Sequence, residues 1–213
     1  MSTESPRTIS LAWTGASGIV YGWRLLECLL VAGCRVQLMY SQVAQLVAQQ
    51  ERVCDLPVQP QQAEQQLRQH FAKQPGELLV YGYDAWFSPV ASGSNPPEAM
   101  VICPCSMGSL AAIAQGLSDH LIERAADVVL KEGRTLILSP RETPLSIIHL
   151  ENMLRLARAG VVILPPIPGF YNHPVSVEDL VNFVVARILD HLQVPHRLGL
   201  RWGDAKNTGD DPP

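Results

Sequence analysis

The sequence predicts a doubly wound α/β fold, with three layers (α/β/α) built around a mainly parallel sheet of the flavodoxin or Rossmann-like kind. Two observations carry that prediction. Short apolar runs alternate with amphipathic helical segments almost throughout, the pattern that lays helices on both faces of a parallel sheet. Several of those runs end in Gly- or Ser-rich turns that open the next helix, as strands do at the ligand-binding edge of such a sheet. The 213 residues fit one domain, expected over residues 1–203, with a tail at 204–213 that reads as disordered.

The elements follow in order. Thr8 to Thr14 reads as the first strand, followed by the loop Gly15-Ala16-Ser17-Gly18 and a helix from Ile19 to Ala32 that ends at Gly33. Arg35 to Tyr40 is the second strand, and Ser41 leads a helix through Gln50. Residues 59–70 are glutamine-rich and read as a solvated helix or loop. A weaker strand lies near Leu78 to Tyr81, before a long segment from Gly82 to Pro97 rich in Gly, Pro, Ser and aromatics. Ala99 to Pro104 is a core strand, and Cys105 to Ser109 opens the next helix. Arg134 to Ser139 and Val161 to Leu164 are two more strands, with a helix from Leu145 to Ala159 between them. Ser176 to Asp179 caps a last helix running to Leu192.

Bulk properties exclude several classes. A net charge of -4 argues against a general nucleic-acid binder. No apolar stretch approaches the roughly 20 residues of a membrane span. Residues 1–7 form a short polar lead rather than a signal peptide. The five cysteines, an odd number in mostly apolar settings, suggest reduced, buried thiols in a cytoplasmic protein. Cys103-Pro104-Cys105 reads as core packing rather than a metal site, and neither zinc spacing nor an aspartate-rich Mg²⁺ motif is present.

The strand ends carry the chemistry. Glycine in Gly15 to Gly18 lets a ligand approach the backbone, and the helix that follows offers N–H groups to an anion; a purely structural turn fits the pattern equally. Neither the GxGxxG nor the Walker pattern is present. Ser17, Ser41 and the Ser106–Ser109 pair follow three different strands, and each alone is an ordinary capping residue, yet their convergence on one edge points to a phosphorylated, hydrogen-bonding ligand such as flavin mononucleotide (FMN). Trp86, beside a Gly/Ser loop, suits a cover for a flat or apolar ligand, or an anchor for the loop itself. Arg141 and Glu142, adjacent between Pro140 and Pro144, suggest an anion contact beside a proton-transfer group. Tyr171, after a stiff proline-rich turn, and Arg187 on the last helix suit phosphate binding, although Arg187 alone reads as a surface residue.

Five segments, Gly15-Ala16-Ser17-Gly18, Ala91-Ser92-Gly93-Ser94, Cys103-Pro104-Cys105-Ser106-Met107, Pro140-Arg141-Glu142-Thr143-Pro144 and Pro168-Gly169-Phe170-Tyr171, together resemble the UbiX-type flavin prenyltransferases. The resemblance covers Thr8 to Leu192 with the motifs in the family's order. It implies a metal-independent enzyme that binds reduced FMN as a substrate and alkylates N5 and C6 with dimethylallyl monophosphate. The prenylated FMN would serve UbiD-type decarboxylases in ubiquinone synthesis or aromatic acid decarboxylation. It also implies a homo-oligomer, typically a dodecamer, with sites at subunit interfaces.

Residue by residue, the resemblance assigns FMN to Gly15, Ala16, Ser17, Ser41, Ser106, Met107, Gly108, Ser109 and Arg141, with Ser17 near N5. Glu142 becomes the proton-transfer group and Trp86 the cover of the prenyl group. Tyr171, Arg187, Lys131 and Arg124 become contacts of the prenyl phosphate. Decarboxylases of the phosphopantothenoylcysteine type share the fold and the FMN site, but use a His soon after the first turn and a Pro-x-Met-Asn motif. This chain has no His before His70 and carries Pro140 to Pro144 at the comparable strand end. A non-catalytic FMN carrier would need the flavin contacts without Glu142, Tyr171 and Arg187 together.

Overall fold

The computed structural model describes residues 6–199; Trp202 and the tail expected at 204–213 lie outside the described residues. A six-stranded sheet runs in the order β3-β2-β1-β4-β5-β6, and every pairing is parallel. The strands are β1 (Thr8–Trp13), β2 (Arg35–Tyr40), β3 (Glu77–Tyr81), β4 (Ala99–Cys105), β5 (Thr135–Pro140) and β6 (Val162–Ile163). The helices are α1 (Ile19–Val31), α2 (Gln42–Gln50), α3 (Pro60–His70), α4 (Met107–Ala114), α5 (Leu121–Lys131), α6 (Ile147–Arg158) and α7 (Val177–Leu192).

This strand order reverses direction between β1 and β4, and a doubly wound sheet opens a ligand crevice at the carboxyl ends flanking such a point. The two faces carry separate cores. Alternate residues of β1, Ile9, Leu11 and Trp13, pack with α1, α3 and α7, while Ala12 faces the core of α4, α5 and α6. Strand β4 is buried along its whole length, which explains its unbroken apolar run.

Local chemistry sets the element ends. Gly22 lets α1 lie directly on β4, since a Cβ there would fall 2.2 Å from the Cys103 carbonyl oxygen. Pro104 would be a poor residue in the middle of a central strand. It sits where the β4–β5 register shifts, between Ile102 and Cys105, and its carbonyl accepts from the Thr14 amide at 3.1 Å. The glutamine-rich segment forms α3, and Ala63 and Leu67 are its buried stripe.

The structure differs from the sequence reading at two element bounds and adds one helix that the reading did not name. The helix opened by Ser106 stops at Ala114; Gly116, at φ +72°, turns the chain, and α5 starts separately after His120. Helix α6 begins at Ile147 instead of Leu145, because Ser146 and His149 close a capping box there. Strand β6 is only Val162–Ile163, cut short by Pro165 and Pro166, which have no amide to donate. Residues 141–148 are all exposed, with Ile147 73% and Ile148 67% accessible. Further exposed apolar side chains follow at Leu150, Leu154, Ile167, Phe170, Val175 and Val177.

Candidate active site

The carboxyl ends of β1, β2, β4 and β5 are tied into one frame. The Thr14 hydroxyl donates to the Pro104 carbonyl at 3.2 Å and accepts from the Ser106 amide at 2.7 Å. The Ser41 amide donates to the Trp13 carbonyl at 3.0 Å, and the Arg141 amide to the Cys105 carbonyl at 3.2 Å. These bonds set the strand ends that carry Gly15 to Ser17, Ser41, Ser106 to Ser109, Arg141 and Glu142 side by side at one end of the sheet. The three serine-bearing strand ends converge as the pattern suggested.

Each serine also caps a helix or sits beside one. The Ser41 hydroxyl accepts from the Ala44 amide at 3.1 Å. The Ser106 hydroxyl accepts from the Ser109 amide at 3.2 Å and bonds the Ser109 hydroxyl at 3.0 Å. Ser17 is exposed at the tip of its turn, while Ala16 is buried beneath it. Met107 packs into the core below α4, and a Cβ built on Gly108 meets nothing closer than the Ser106 hydroxyl at 4.0 Å. The amides of Gly15, Ser17, Met107 and Gly108 have no hydrogen-bond partner among the described residues. Open backbone donors, two hydroxyls and the exposed Arg141 form a donor set that fits a flavin with its phosphate.

One sequence expectation is corrected. The N-terminus of α1 does not offer its first amides to a ligand, because Glu51 already holds them. Its two carboxylate oxygens accept from the Gly18 amide at 2.7 Å and the Ile19 amide at 2.9 Å. Gly18, at φ +107°, makes the turn that presents both amides to that carboxylate. Glu51 lies 33 residues from Gly18 and follows α2, so no local pattern announced it.

The Pro140 to Pro144 turn holds Arg141 and Glu142 side by side and exposed, and the Thr143 amide donates to Glu142 Oε1 at 3.1 Å. The peptide between Thr143 and Pro144 is cis. Cys103 and Cys105 are fully buried in β4, and burial pushes the Cys103 thiol up to about 12 and that of Cys105 higher still. The packing reading of Cys103-Pro104-Cys105 agrees with those environments.

Tyr171 and Arg187 line a separate groove of about 640 Å³ along the outer side of α7, together with Gly169, Asn182 and Phe183. The Tyr171 ring meets Phe183 edge-on at 5.7 Å, and Arg187 Nη1 donates to Asp190 Oδ2 at 3.0 Å. Trp86 is 42% exposed on the loop after β3. Arg124, on α5, donates from Nε to the Ala91 carbonyl at 3.0 Å and pairs with Asp127 at 2.7 Å.

Lys131 ends α5 and pairs with Glu132. It stands four residues before β5 begins, at the opposite edge of the sheet from Arg141, about 20 Å away by strand rise. A single chain therefore does not bring Lys131 to the strand-end frame.

A family model for flavoproteins matches residues 1–189. A flavin prenyltransferase UbiX of Pseudomonas aeruginosa is 52% identical over 208 residues, covering 98% of this chain and 100% of that protein. Among solved structures, a dodecameric FMN-dependent UbiX-like decarboxylase from Escherichia coli O157:H7 matches with a TM-score of 0.80 at 39% identity, covering 92% of this chain and 98% of that one. A UbiX protein in complex with FMN and dimethylallyl pyrophosphate matches with a TM-score of 0.78 at 38% identity, covering 92% and 100%. With the motifs in order and the strand-end frame in place, the chain belongs to the flavoprotein family and, within it, to the flavin prenyltransferases of the UbiX type.

Proposed function

We propose that the protein transfers a dimethylallyl group from dimethylallyl monophosphate to reduced FMN. The donor's carbon–oxygen bond breaks and phosphate leaves as N5 takes the terminal carbon in place of its proton; the donor's double bond is then protonated, and C6 bonds the tertiary carbon in place of its own proton. The observation that carries this reading is the Pro140 to Pro144 turn, which fixes a cation and a carboxylate beside the Ser106 cap through the Arg141 amide. The near full-length identity to UbiX enzymes supports it.

In this reading Gly15, Ala16, Ser17, Ser41, Ser106, Met107, Gly108, Ser109 and Arg141 hold FMN, which supplies the nucleophilic N5 and C6. Ser17 handles the proton at N5, and Glu142 exchanges the second proton, with the departing phosphate as relay. Tyr171 and Arg187 hold the donor's phosphate, so the allyl group ionises against fixed positive charge without a metal. The Trp86 face covers the allyl carbons, where ring electrons stabilise cationic character.

Arg124 and Lys131 reach the phosphate from neighbouring subunits of a dodecamer. The exposed apolar side chains on and beyond α6 support such an assembly, as does the dodecameric relative. The prenylated FMN passes to a UbiD-type decarboxylase, in ubiquinone synthesis or aromatic acid decarboxylation. We place the protein in the cytoplasm, in keeping with its five free cysteines; no helix among the described residues is long and apolar enough to cross a membrane.

The test is anaerobic incubation of the protein with reduced FMN and either dimethylallyl monophosphate or the diphosphate, followed by mass measurement of the flavin. A gain of one C5 unit with release of phosphate is expected from the monophosphate. Bound flavin of unchanged mass with either donor is the result of a carrier and refutes the transfer.

A further inference from the structure

The loop from Gly82 to Pro97 carries Trp86, and its only regular structure is the short 3₁₀ turn Pro89–Ala91. A loop of this kind relies on neighbouring elements to hold an aromatic ring in place. Helix α5 supplies that support. The Leu121 amide donates to the Tyr83 carbonyl at 3.0 Å, and Arg124 grips the Ala91 carbonyl. The Tyr83 ring lies stacked on His120, with centroids 4.2 Å apart and planes at 29°.

His120 is itself held from behind. It is the N-cap of α5, where its Nδ1 accepts from the Glu123 amide at 3.5 Å. Its Nε2 faces Glu123 Oε1 at 3.0 Å, while Glu123 Oε2 accepts from the Asp119 amide at 2.8 Å. Glu123 is only 6% exposed. A buried carboxylate is costly to keep, and Ser or Asn would cap the helix without one. What the imidazole adds is a flat face, presented at a fixed angle to Tyr83.

We propose that His120 is a positioning residue for prenyl transfer: by stacking on Tyr83 it fixes the loop that carries Trp86, and Glu123 sets the ring's tautomer and orientation. The inference rests on the role of Trp86 proposed above. A tight turn links the two rings, since the Trp86 amide donates to the Asp84 carbonyl at 2.8 Å. Without the stack that turn keeps its backbone tie to Leu121 and the packing of Ala85 against the core, while no other ring holds its angle and Arg124 holds the far side of the loop.

Four variants decide the matter: His120→Asn, Tyr83→Leu, Trp86→Leu and the His120→Asn/Trp86→Leu double. Asn keeps a capping oxygen and removes the ring. Tyr83→Leu removes the other ring and leaves the pairing of His120 with Glu123 untouched, so it reports on the stack even if His120→Asn folds poorly. Each of these two should lower kcat/KM for dimethylallyl monophosphate by about two- to tenfold, the range of an aromatic pair. FMN affinity should not change. In the Trp86→Leu background the His120 change should cost nothing more, because the ring it positions is gone.

Undiminished kcat/KM in Tyr83→Leu, or additive losses in the double variant, overturns the inference and leaves the prenyl transfer standing. Undiminished kcat/KM in Trp86→Leu removes the role of Trp86, and the inference with it.

Discussion

Replacing Glu51 with alanine should strip the start of α1 of its counter-charge. The carboxylate holds the amides of Gly18 and Ile19 at 2.7 and 2.9 Å, and both residues are buried. A buried donor left unpaired costs about 1–3 kcal/mol, and losing a capping side chain about 1 kcal/mol. A carboxylate at a helix N-terminus contributes about 0.3–1 kcal/mol. These figures describe one interaction from three sides, so the combined loss is about 2–3 kcal/mol rather than their sum. At about 2–4 °C per kcal/mol for a chain of this size, the melting temperature should fall by about 4–12 °C. Glu51→Gln keeps one acceptor but turns an NH₂ group toward the second amide, so its loss should be intermediate. The assay is thermal melting at fixed protomer concentration, with and without FMN, because assembly and ligand both shift the transition by mass action. The alanine variant should also bind FMN more weakly, since Ser17 is the residue next to Gly18. A melting temperature within about 1 °C of the parent would refute the capping argument.

Glu142→Gln should retain FMN affinity while prenylated product forms at least about a hundredfold more slowly, the lower range for loss of a general acid or base; an unchanged rate in single-turnover assays removes Glu142 from proton transfer. Tyr171→Phe should raise KM for the prenyl phosphate about tenfold to a hundredfold through the loss of one hydrogen bond to a charged group, with FMN affinity held. A KM equal to the parent's contradicts its placement. Burial lowers the His120 pKa below 6.5, although Glu123, Asp119 and Asp84 oppose that shift electrostatically and Tyr83 lies against the ring. The unfolded chain then takes up the proton first, so the His120 contribution to stability is complete above pH 6.5 and is lost as pH falls through the lower, folded pKa. Melting curves from neutral to mildly acidic pH should show a steeper loss for the parent than for His120→Asn, and parallel curves would rule this out.

Much of the frame could be read from the chain because its signals are local. The apolar run of β4, the capping box at Ser176 and the turn at Gly33 each sit within the element they define. The strand-end serines were legible for the same reason, since a residue that leaves a strand and caps a helix has its place fixed by both. Glu51 was not legible, because its partners lie across a tertiary gap. The break between α4 and α5 had weak local marks in Gly116 and in Glu123 three residues after His120, but the apolar content on both sides masked them. Lys131 shows another limit. The resemblance named it as a phosphate contact without saying that its helix runs back across the sheet and ends at the far edge.

The exposed run from Arg141 to Ile148 joins a charged pair to an aliphatic patch within a short stretch of chain. Each large aliphatic side chain there forfeits about 1.5–3 kcal/mol while it faces water. Docking of neighbouring subunits over Ile147 and Ile148 would dry the same turn that holds Glu142, raising the strength of every charge at the site. Many enzymes exclude water with a lid that opens on each cycle. In the proposed assembly subunit docking would take that role, so dilution below the dissociation constant of the oligomer should inhibit turnover before any chain unfolds.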